Sequence, residues 1–381
     1  MKKIKFLAMA MAALMSTSFI ACSDDDDTPV VPPVVNPDDN KEDKPTVPES
    51  NWTIYQRSVD EMVSKEKKSN KAILLVAFGS TWECAYNAFD ATQKAYQKEF
   101  PGYDVYVSFS SAICINRAMA GENTDPRYFY APNFWLHAFG TAKYDEIVVQ
   151  SLQVIPGEEF NRVINYLKDF ANNYLGDLDD KYLANVELKL GAPLLTSNEG
   201  KGNDVEATAA ALDAHYGAEL KDGLVAFMGH GNPDSYDSYK ANVRYTELEE
   251  ALQKINPKYY VGTVDMPDNY KDNVWERIQD AKQTKAGHIS LHALMSIAGD
   301  HAHNDMVGEG EEYWDGEDEA SEENSWLEYF SNVAGFSVAG ADNPLGLLEV
   351  PGVLKIWMQH TKDAVDGDAL EDYYHSMFPE E

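Results

Sequence analysis

Cysteines and basic residues are scarce in this chain of 381 residues. The three cysteines include no CxxC pair, so the sequence indicates neither a disulfide scaffold nor a cysteine-rich zinc site. Lys and Arg number 31 against 64 Asp and Glu, which gives a formal charge of -33. A nucleic-acid partner needs clustered basic side chains, so this balance argues against one. No Walker-type glycine loop occurs, and no nucleotide cofactor is predicted.

The N-terminal segment has the composition of a lipoprotein signal. Three lysines within the first five residues precede an apolar run, residues 6–20, that is too short for a typical membrane span. A small residue then precedes Cys22, for which we expect cleavage and lipidation. Residues 23–50 are rich in acids and proline and predict an extended tether. We therefore expect an exported protein anchored to a membrane by lipid, in the periplasm or at the outer-membrane surface.

The other two cysteines, Cys84 and Cys114, stand far from any metal-binding motif. They could pair in an oxidising compartment. Isolated cysteines are, however, more typical of small buried apolar side chains. The sequence therefore gives no reason to expect a thiolate metal site.

Apolar strand segments alternate with helix-period segments after the tether. This alternation predicts an α/β fold with parallel sheets covered by helices on both faces. We expect an N-terminal lobe over residues 51–200 and a C-terminal lobe over residues 201–381. The predicted strands are 72–78, 104–109, 146–154, 186–190, 223–228, 259–264, 288–294 and 335–339. The predicted helices are 88–99, 160–174, 204–216, 245–255, 269–284 and 353–364.

The two halves of the chain repeat one another. When residues 150–160 are placed beside residues 292–302, Gly157 falls on Gly299 and Glu159 falls on His301. A second repeat at nearly the same offset relates Val-Ala-Phe-Gly at 76–79 to Val-Ala-Phe-Met-Gly-His-Gly at 225–231. An internal duplication of this kind predicts two similar lobes with a cleft between them. Glu159, His230 and His301 would then lie at strand ends facing the cleft.

The loop after the predicted strand 288–294 concentrates polar side chains, namely Asp300, His301, His303, Asn304 and Asp305. Ligands bind at the carboxyl ends of strands in α/β folds, and imidazole with carboxylate suits a borderline divalent cation. The alternative is a polar loop that caps the following helix through Asp300 or Asn304. His303 is expected beside the metal ligands or at the surface rather than as a fourth ligand.

The motifs Met-Gly-His-Gly at 228–231 and Ala-Gly-Asp-His-Ala-x-Asn-Asp-Met at 298–306 resemble those of the anaerobic sirohydrochlorin cobaltochelatases, the CbiK type of class II chelatase. Weaker matches extend the resemblance from about residue 71 to residue 360. The resemblance implies that His230 and His301 bind cobalt and accept protons from the macrocycle, with Glu159 as third ligand. Cobalt(II) is then a substrate, and nickel, iron or zinc would suit the same donors.

Further site residues follow from the matching segments. Arg117 falls in a matching segment and is the expected contact for the carboxylates of the tetrapyrrole. Phe78, whose ring could pack on a macrocycle face, and Ser80 are further expected contacts. Asn304 and Asp305 match the second motif, and we expect them to orient His301 or its loop. A homo-oligomer is left open.

Three functions fit these residues. The first is insertion of cobalt(II) into sirohydrochlorin or a related tetrapyrrole without ATP. The expected export favours a second, an extracytoplasmic tetrapyrrole or metal carrier, or a dechelatase. The third is a metal-dependent hydrolase in which Glu158 is the base.

Nine carboxylates at 309–323 form either a solvated segment or a segment that concentrates cations near the cleft.

Overall fold

The computed structural model describes residues 51–121, 125–198, 202–309 and 324–367. The predicted signal and tether lie outside the described residues, as does the acidic segment beyond Glu309. No helix within the described ranges is long and apolar enough to cross a bilayer.

The helices alternate with strands along most of the chain. The helices are α1 (Asn51–Glu66), α2 (Glu83–Glu99), α3 (Ala112–Ala120), α4 (Pro132–Thr141), α5 (Glu158–Ala171), α6 (Asp180–Leu183), α7 (Asp204–Tyr216), α8 (Val243–Ile255), α9 (Lys271–Asp280), α10 (Trp326–Glu328) and α11 (Pro351–Asp366). The strands are β1 (Lys71–Ala77), β2 (Asp104–Phe109), β3 (Glu146–Ser151), β4 (Glu187–Gly191), β5 (Ser197–Asn198), β6 (Gly202–Asn203), β7 (Leu224–Gly229), β8 (Tyr259–Thr263), β9 (His288–Leu294) and β10 (Ser337–Ala339). Short helical turns cover Gly217–Lys221, Asp234–Tyr236, Ala302–Val307, Tyr329–Val333 and Leu347–Glu349.

Two four-stranded parallel sheets carry the fold, in the orders β2-β1-β3-β4 and β8-β7-β9-β10. Counted within each lobe, both orders read second, first, third, fourth. The predicted α/β class with two similar lobes is confirmed, and the shared strand order agrees with the repeat in the sequence. A small antiparallel pair, β5 and β6, lies on the chain between the two sheets.

Both faces of the second sheet are buried. Leu224, Ala226 and Met228 of β7 pack on one face, while Val225 and Phe227 pack on the other. Successive side chains of a strand point to opposite faces, so a strand covered on both sides is apolar throughout. Six of the eight main strands are buried in this way and read as largely apolar runs, whereas β4 and β10 are partly exposed.

The last helix does not remain with the second sheet. α11 packs against β3 and β4 of the first sheet as well as against α7. Its Trp357 is fully buried, and the hydroxyl of Thr361 donates to Gln150 Oε1 on β3 over 2.8 Å. The two main sheets fall on either side of residue 200, but the C-terminal helix ties the lobes together.

Candidate active site

The carboxyl ends of the strands of both lobes meet at the lobe interface. The loop after β1 contacts the loop after β9, because Thr81 Oγ1 and Trp82 Nε1 donate to Asp300 Oδ1 over 3.3 and 2.5 Å. Parallel strands place their following loops at one edge of the sheet, where ligands bind in this class of fold. The loop that carries His301 is therefore held by two side chains from the other lobe.

The reciprocal contact joins the first turn of α5, which follows β3, to the loop after β7. The backbone N–H of Ser238 donates to Glu158 Oε1 over 3.1 Å, and Arg162 donates to the hydroxyl of Tyr236 over 3.1 Å. Glu158 aligns with Asp300 in the repeat, and each carboxylate accepts from the opposite lobe. The next residues of the repeat, Glu159 and His301, take no part in these two contacts between the lobes.

His230 and His301 come together at these strand ends. Their ring centroids are 4.6 Å apart, with the ring planes at 82°. Their side chains keep 42% and 40% of their surface exposed, so a cation can reach both rings. The structure thus pairs two predicted ligands that stand 71 positions apart in the sequence.

Both imidazoles use Nδ1 to bind the protein. His230 Nδ1 donates to the backbone oxygen of Gly231 over 2.6 Å, and His301 Nδ1 bonds with Asp305 Oδ2 over 2.7 Å. Metal-binding histidines commonly engage one ring nitrogen with a carbonyl or carboxylate and ligate through the other. Nε2 of each ring therefore remains available as a ligand or proton acceptor. Asp305 thus contacts His301 directly, as the sequence analysis expected.

Gly231 makes the turn after His230 possible. Its φ is +76°, and a Cβ there would lie 2.8 Å from both the backbone nitrogen and the Cβ of Met266. Only glycine adopts this left-handed conformation without strain and also leaves this space open. The second glycine of the Met-Gly-His-Gly motif therefore shapes the turn whose backbone oxygen accepts the hydrogen bond from His230 Nδ1.

The two histidines have opposite shifts in pKa. Partial desolvation of the ring lowers the pKa of His230, and the charge of the neighbouring His301 lowers it further. Burial also acts to lower the pKa of His301, but the hydrogen bond to Asp305 and the charges of Asp305, Asp265 and Asp300 outweigh it and raise that pKa. His230 is thus the more readily available acceptor near neutral pH.

Asp265 is a site residue that the sequence analysis missed. Its Oδ2 lies 3.6 Å from His230 Nε2, the nitrogen that is left for a cation. The residue follows β8, so the rule that ligands bind at strand ends could have found it. Its segment carries no histidine or specific motif, which is why the signal was weak.

Glu159 lies at the start of α5 in the first lobe. Its side chain is partly buried, and its Oε1 is 3.6 Å from Arg162 Nη1. Burial raises the pKa of Glu159, although the guanidinium of Arg162 and a hydrogen bond with Ser110 oppose the shift. Among the residues that the structure describes, no three His, Cys, Asp or Glu side chains are grouped closely enough to hold a metal. The predicted set of His230, His301 and Glu159 is therefore not preassembled there, and Glu159 as a ligand stays a prediction.

The predicted tetrapyrrole contacts differ in exposure. Phe78 keeps 45% of its surface exposed, and Arg117 is exposed on α3. Ser80 is buried, and its hydroxyl accepts from the backbone N–H of Trp82 over 3.1 Å. Phe78 and Arg117 are therefore accessible to a ligand, whereas Ser80 is engaged within its own loop. Asn304 is partly buried in the short helical turn after His301.

His303 is buried and turned away from the histidine pair. Its ring stacks on Trp82 of the first lobe, with centroids 3.7 Å apart and planes at 6°. Its two nitrogens contact Glu309 and Cys84. Cys84 and Cys114 are both free thiols. The contact between Cys84 and His303 was not foreseen, because the two residues belong to different lobes.

Two similar α/β lobes with histidines at the meeting strand ends define a two-lobed chelatase fold. SirB from Bacillus subtilis, solved with Fe3+, matches 79% of this chain and 98% of its own with a TM-score of 0.51. At 13% identity this match supports the fold alone. The family model for cobalt chelatase (CbiK) matches residues 71–366, and the chain belongs to that family.

Two curated relatives agree with this assignment. The chain is 30% identical over 306 residues to the sirohydrochlorin cobaltochelatase CbiKC of Nitratidesulfovibrio vulgaris, covering 80% of this chain and 93% of the relative. It is 26% identical over 246 residues to a sirohydrochlorin cobaltochelatase of Salmonella typhimurium, covering 64% and 83%. The predicted family is confirmed, and with it the prediction of a chelatase enzyme.

Proposed function

We propose that this chelatase inserts cobalt(II) into sirohydrochlorin or a closely related tetrapyrrole without ATP. The observation that carries the proposal is the convergence of His230 and His301, each with Nδ1 engaged by the protein and Nε2 available. The names of the relatives support the choice of metal and macrocycle.

Metal insertion makes two demands that imidazoles can meet. The site must hold a cation with ligands that it can later surrender, and it must accept the two protons that leave the pyrrole nitrogens. A neutral imidazole can ligate or accept a proton at the same nitrogen. We assign both roles to His230 and His301, and the lowered pKa of His230 keeps its ring neutral near pH 7.

Carboxylates would complete the metal site. We assign Glu159 as the third ligand, because it follows β3 of the first lobe at the position that His301 occupies in the repeat. A cation would favour the ionised form that burial disfavours. Asp265 lies beside His230 Nε2 and can lower the net charge of the bound ion. Nickel, iron and zinc would suit the same donors.

The macrocycle itself is acidic, as is the protein. Sirohydrochlorin carries several carboxylates, so its binding requires local positive charge. Arg117, exposed on α3, is our candidate for that contact, and the exposed ring of Phe78 can pack on a macrocycle face. Glu158, the base of the hydrolase hypothesis, is instead engaged by the backbone of Ser238.

An anaerobic absorbance assay tests the proposal. Purified full-length protein is mixed with sirohydrochlorin and cobalt(II), and wild type is compared with His230→Ala, His301→Ala and Glu159→Gln. Loss of a proton acceptor should slow insertion by about 100-fold or more. His215→Ala is the control, because this exposed imidazole on α7 should leave the rate unchanged.

A wild-type rate no greater than the uncatalysed rate, combined with a shifted macrocycle spectrum, would instead favour the carrier.

The carrier alternative is also supported by the composition of the N-terminal segment. We propose that the chain is exported and anchored through lipid on Cys22, with residues 23–50 as the tether. Mass spectrometry of the mature N-terminus should find Cys22 first and acylated, and Cys22→Ala should release the protein from membranes. An unmodified Met1 would contradict export.

A further inference from the structure

A thiol and an imidazole meet beside the histidine pair, on the side that faces the first lobe. Cys84 Sγ is 3.4 Å from His303 Nε2, across 219 residues of sequence. Cys84 is exposed near the start of α2, and His303 follows His301 by two residues. His301 faces His230 of its own lobe, whereas His303 faces the loop after β1.

The ring of His303 is held firmly in this orientation. Its Nδ1 bonds with Glu309 Oε2 over 2.8 Å, the arrangement by which a carboxylate orients a metal-binding imidazole. Trp82 stacks on the ring face, and Trp82 is itself anchored because its indole N–H donates to Asp300. These contacts leave Nε2 directed at the sulfur of Cys84.

We propose that Cys84 and His303 form a second metal site, distinct from the His230–His301 pair, that takes a borderline divalent cation such as cobalt(II) or zinc(II). Tetrahedral bonds of about 2.3 Å to sulfur and about 2.0–2.1 Å to nitrogen place the two donors about 3.5 Å apart. The observed 3.4 Å fits one ion held between them with little movement.

The surroundings of the pair favour a cation over other uses of the thiol. Thiolate and imidazole select borderline and soft metals over magnesium or calcium. The sulfur of Cys84 is 3.4 Å from His303 Nε2 and 3.7 Å from the backbone oxygen of Ala298, so it rests as a hydrogen-bonded thiol. A divalent ion that binds there would displace the thiol proton.

The site offers only two protein donors among the described residues. Water or a ligand brought by the ion would fill the remaining positions, so the site should exchange its metal readily. Binding at this pair does not depend on the proposed insertion reaction, because it uses neither His230 nor His301. The two proposals can therefore fail separately.

Anaerobic titration of the purified full-length protein with cobalt(II) tests this site. A cobalt–thiolate bond gives charge-transfer absorption in the near ultraviolet, which imidazole and carboxylate ligands do not produce. We expect this absorption to saturate in wild type and to be lost in Cys84→Ser. Glu309→Gln should weaken the apparent affinity by about tenfold to hundredfold. His303→Asn should weaken it at least as much.

Controls separate this site from other thiols and from the histidine pair. Cys114→Ala and the double variant His230→Ala/His301→Ala should retain the absorption, and circular dichroism checks that each variant is folded. Absence of the band in wild type overturns the proposal. A band that survives Cys84→Ser belongs to another thiol and also overturns it. An unchanged affinity in folded His303→Asn refutes the pairing of the two donors.

Discussion

Three histidines near the strand ends share one way of being held. Each engages an oxygen through Nδ1: His230 the backbone of Gly231, His301 the carboxylate of Asp305, and His303 the carboxylate of Glu309. His230 and His301 therefore keep Nε2 for chemistry, whereas Nε2 of His303 contacts Cys84. For His301 the carboxylate of Asp305 stabilises the protonated ring and raises its pKa.

The pH dependence of cobalt binding should follow from His301. A cation binds the deprotonated ring, and the pKa of His301 is raised above its ordinary value of about 6.5. Cobalt affinity should thus fall as the pH falls through this raised pKa. Asp305→Asn keeps an acceptor for Nδ1 but removes the negative charge, so the midpoint of the decline should move to lower pH. At high pH the same change should weaken binding about tenfold.

Competition with a chromophoric chelator, measured across pH, checks this shift. Asp280→Asn is a matched control, because it removes an exposed carboxylate from the end of α9. That end of the helix lies near the opposite edge of the sheet from the histidines. A midpoint that moves equally in both variants would show that overall charge, rather than the Asp305–His301 bond, sets the pH dependence.

At the scale of elements, the segments that follow the first and third strands of each lobe carry the candidate site. The loop after β1 meets the loop after β9, and the loop after β7 meets the first turn of α5, which follows β3. This reciprocal pattern gives the repeat in the sequence a physical meaning, because each copy supplies one partner to both contacts. Such loops must follow tight paths to pack against one another.

Gly79, in the loop after β1, shows how little space and backbone freedom this packing allows. Its φ is +123°, and a Cβ would lie 2.7 Å from Cys114 Cβ and 2.8 Å from Phe109 Cδ2. Gly79→Ala should lower the free energy of unfolding by about 2–4 kcal/mol, combining left-handed strain with overpacking. Gly176→Ala is the control, because its φ is +73° but nothing lies within 4 Å of the added carbon. It should cost only about 1–2 kcal/mol.

Urea unfolding of the two variants makes the comparison direct. Equal losses of stability would mean that the contact with Cys114 and Phe109 relaxes without cost. A larger loss in Gly79→Ala would show that the turn after β1 depends on close packing as well as on backbone conformation.

The sequence predicted some elements better than others. Six of the eight strands are buried along nearly their whole length and read as largely apolar runs, and all eight were found within a few residues. α3 and α4 were missed, because α3 has nine residues and α4 is buried on nearly every side, which hides a helical period. α1 was also missed.

The site shows the same division. His230 and His301 stand in specific motifs that pointed to them, and their rings do lie together, while Asp265 follows β8 without a motif. The pairing of Cys84 with His303 depends on how two lobes dock, and no local pattern in the sequence encodes that. The sequence therefore predicted which strand ends carry the candidate site, but it did not predict the contacts between side chains of the two lobes.

At the scale of the whole molecule, one buried cluster joins the lobes. It contains residues of the first sheet such as Leu74, residues of the second such as Phe227, and Trp357 of α11. A helix from the end of the chain thus covers the first sheet after the second sheet has been completed. The orientation of the lobes, and with it the meeting of the strand ends, depends on this shared core.

Trp357→Ala should therefore weaken the entire protein rather than one lobe. Removing a fully buried indole should cost about 3–5 kcal/mol. Lys355→Ala, on the exposed face of the same helix, should change stability by no more than about 0.5 kcal/mol. Urea unfolding followed by circular dichroism and by fluorescence should give one coincident transition, at a lower midpoint in Trp357→Ala. Two separated transitions in wild type would show that the lobes fold independently, and α11 would then be a cover for the first lobe instead of the link between them.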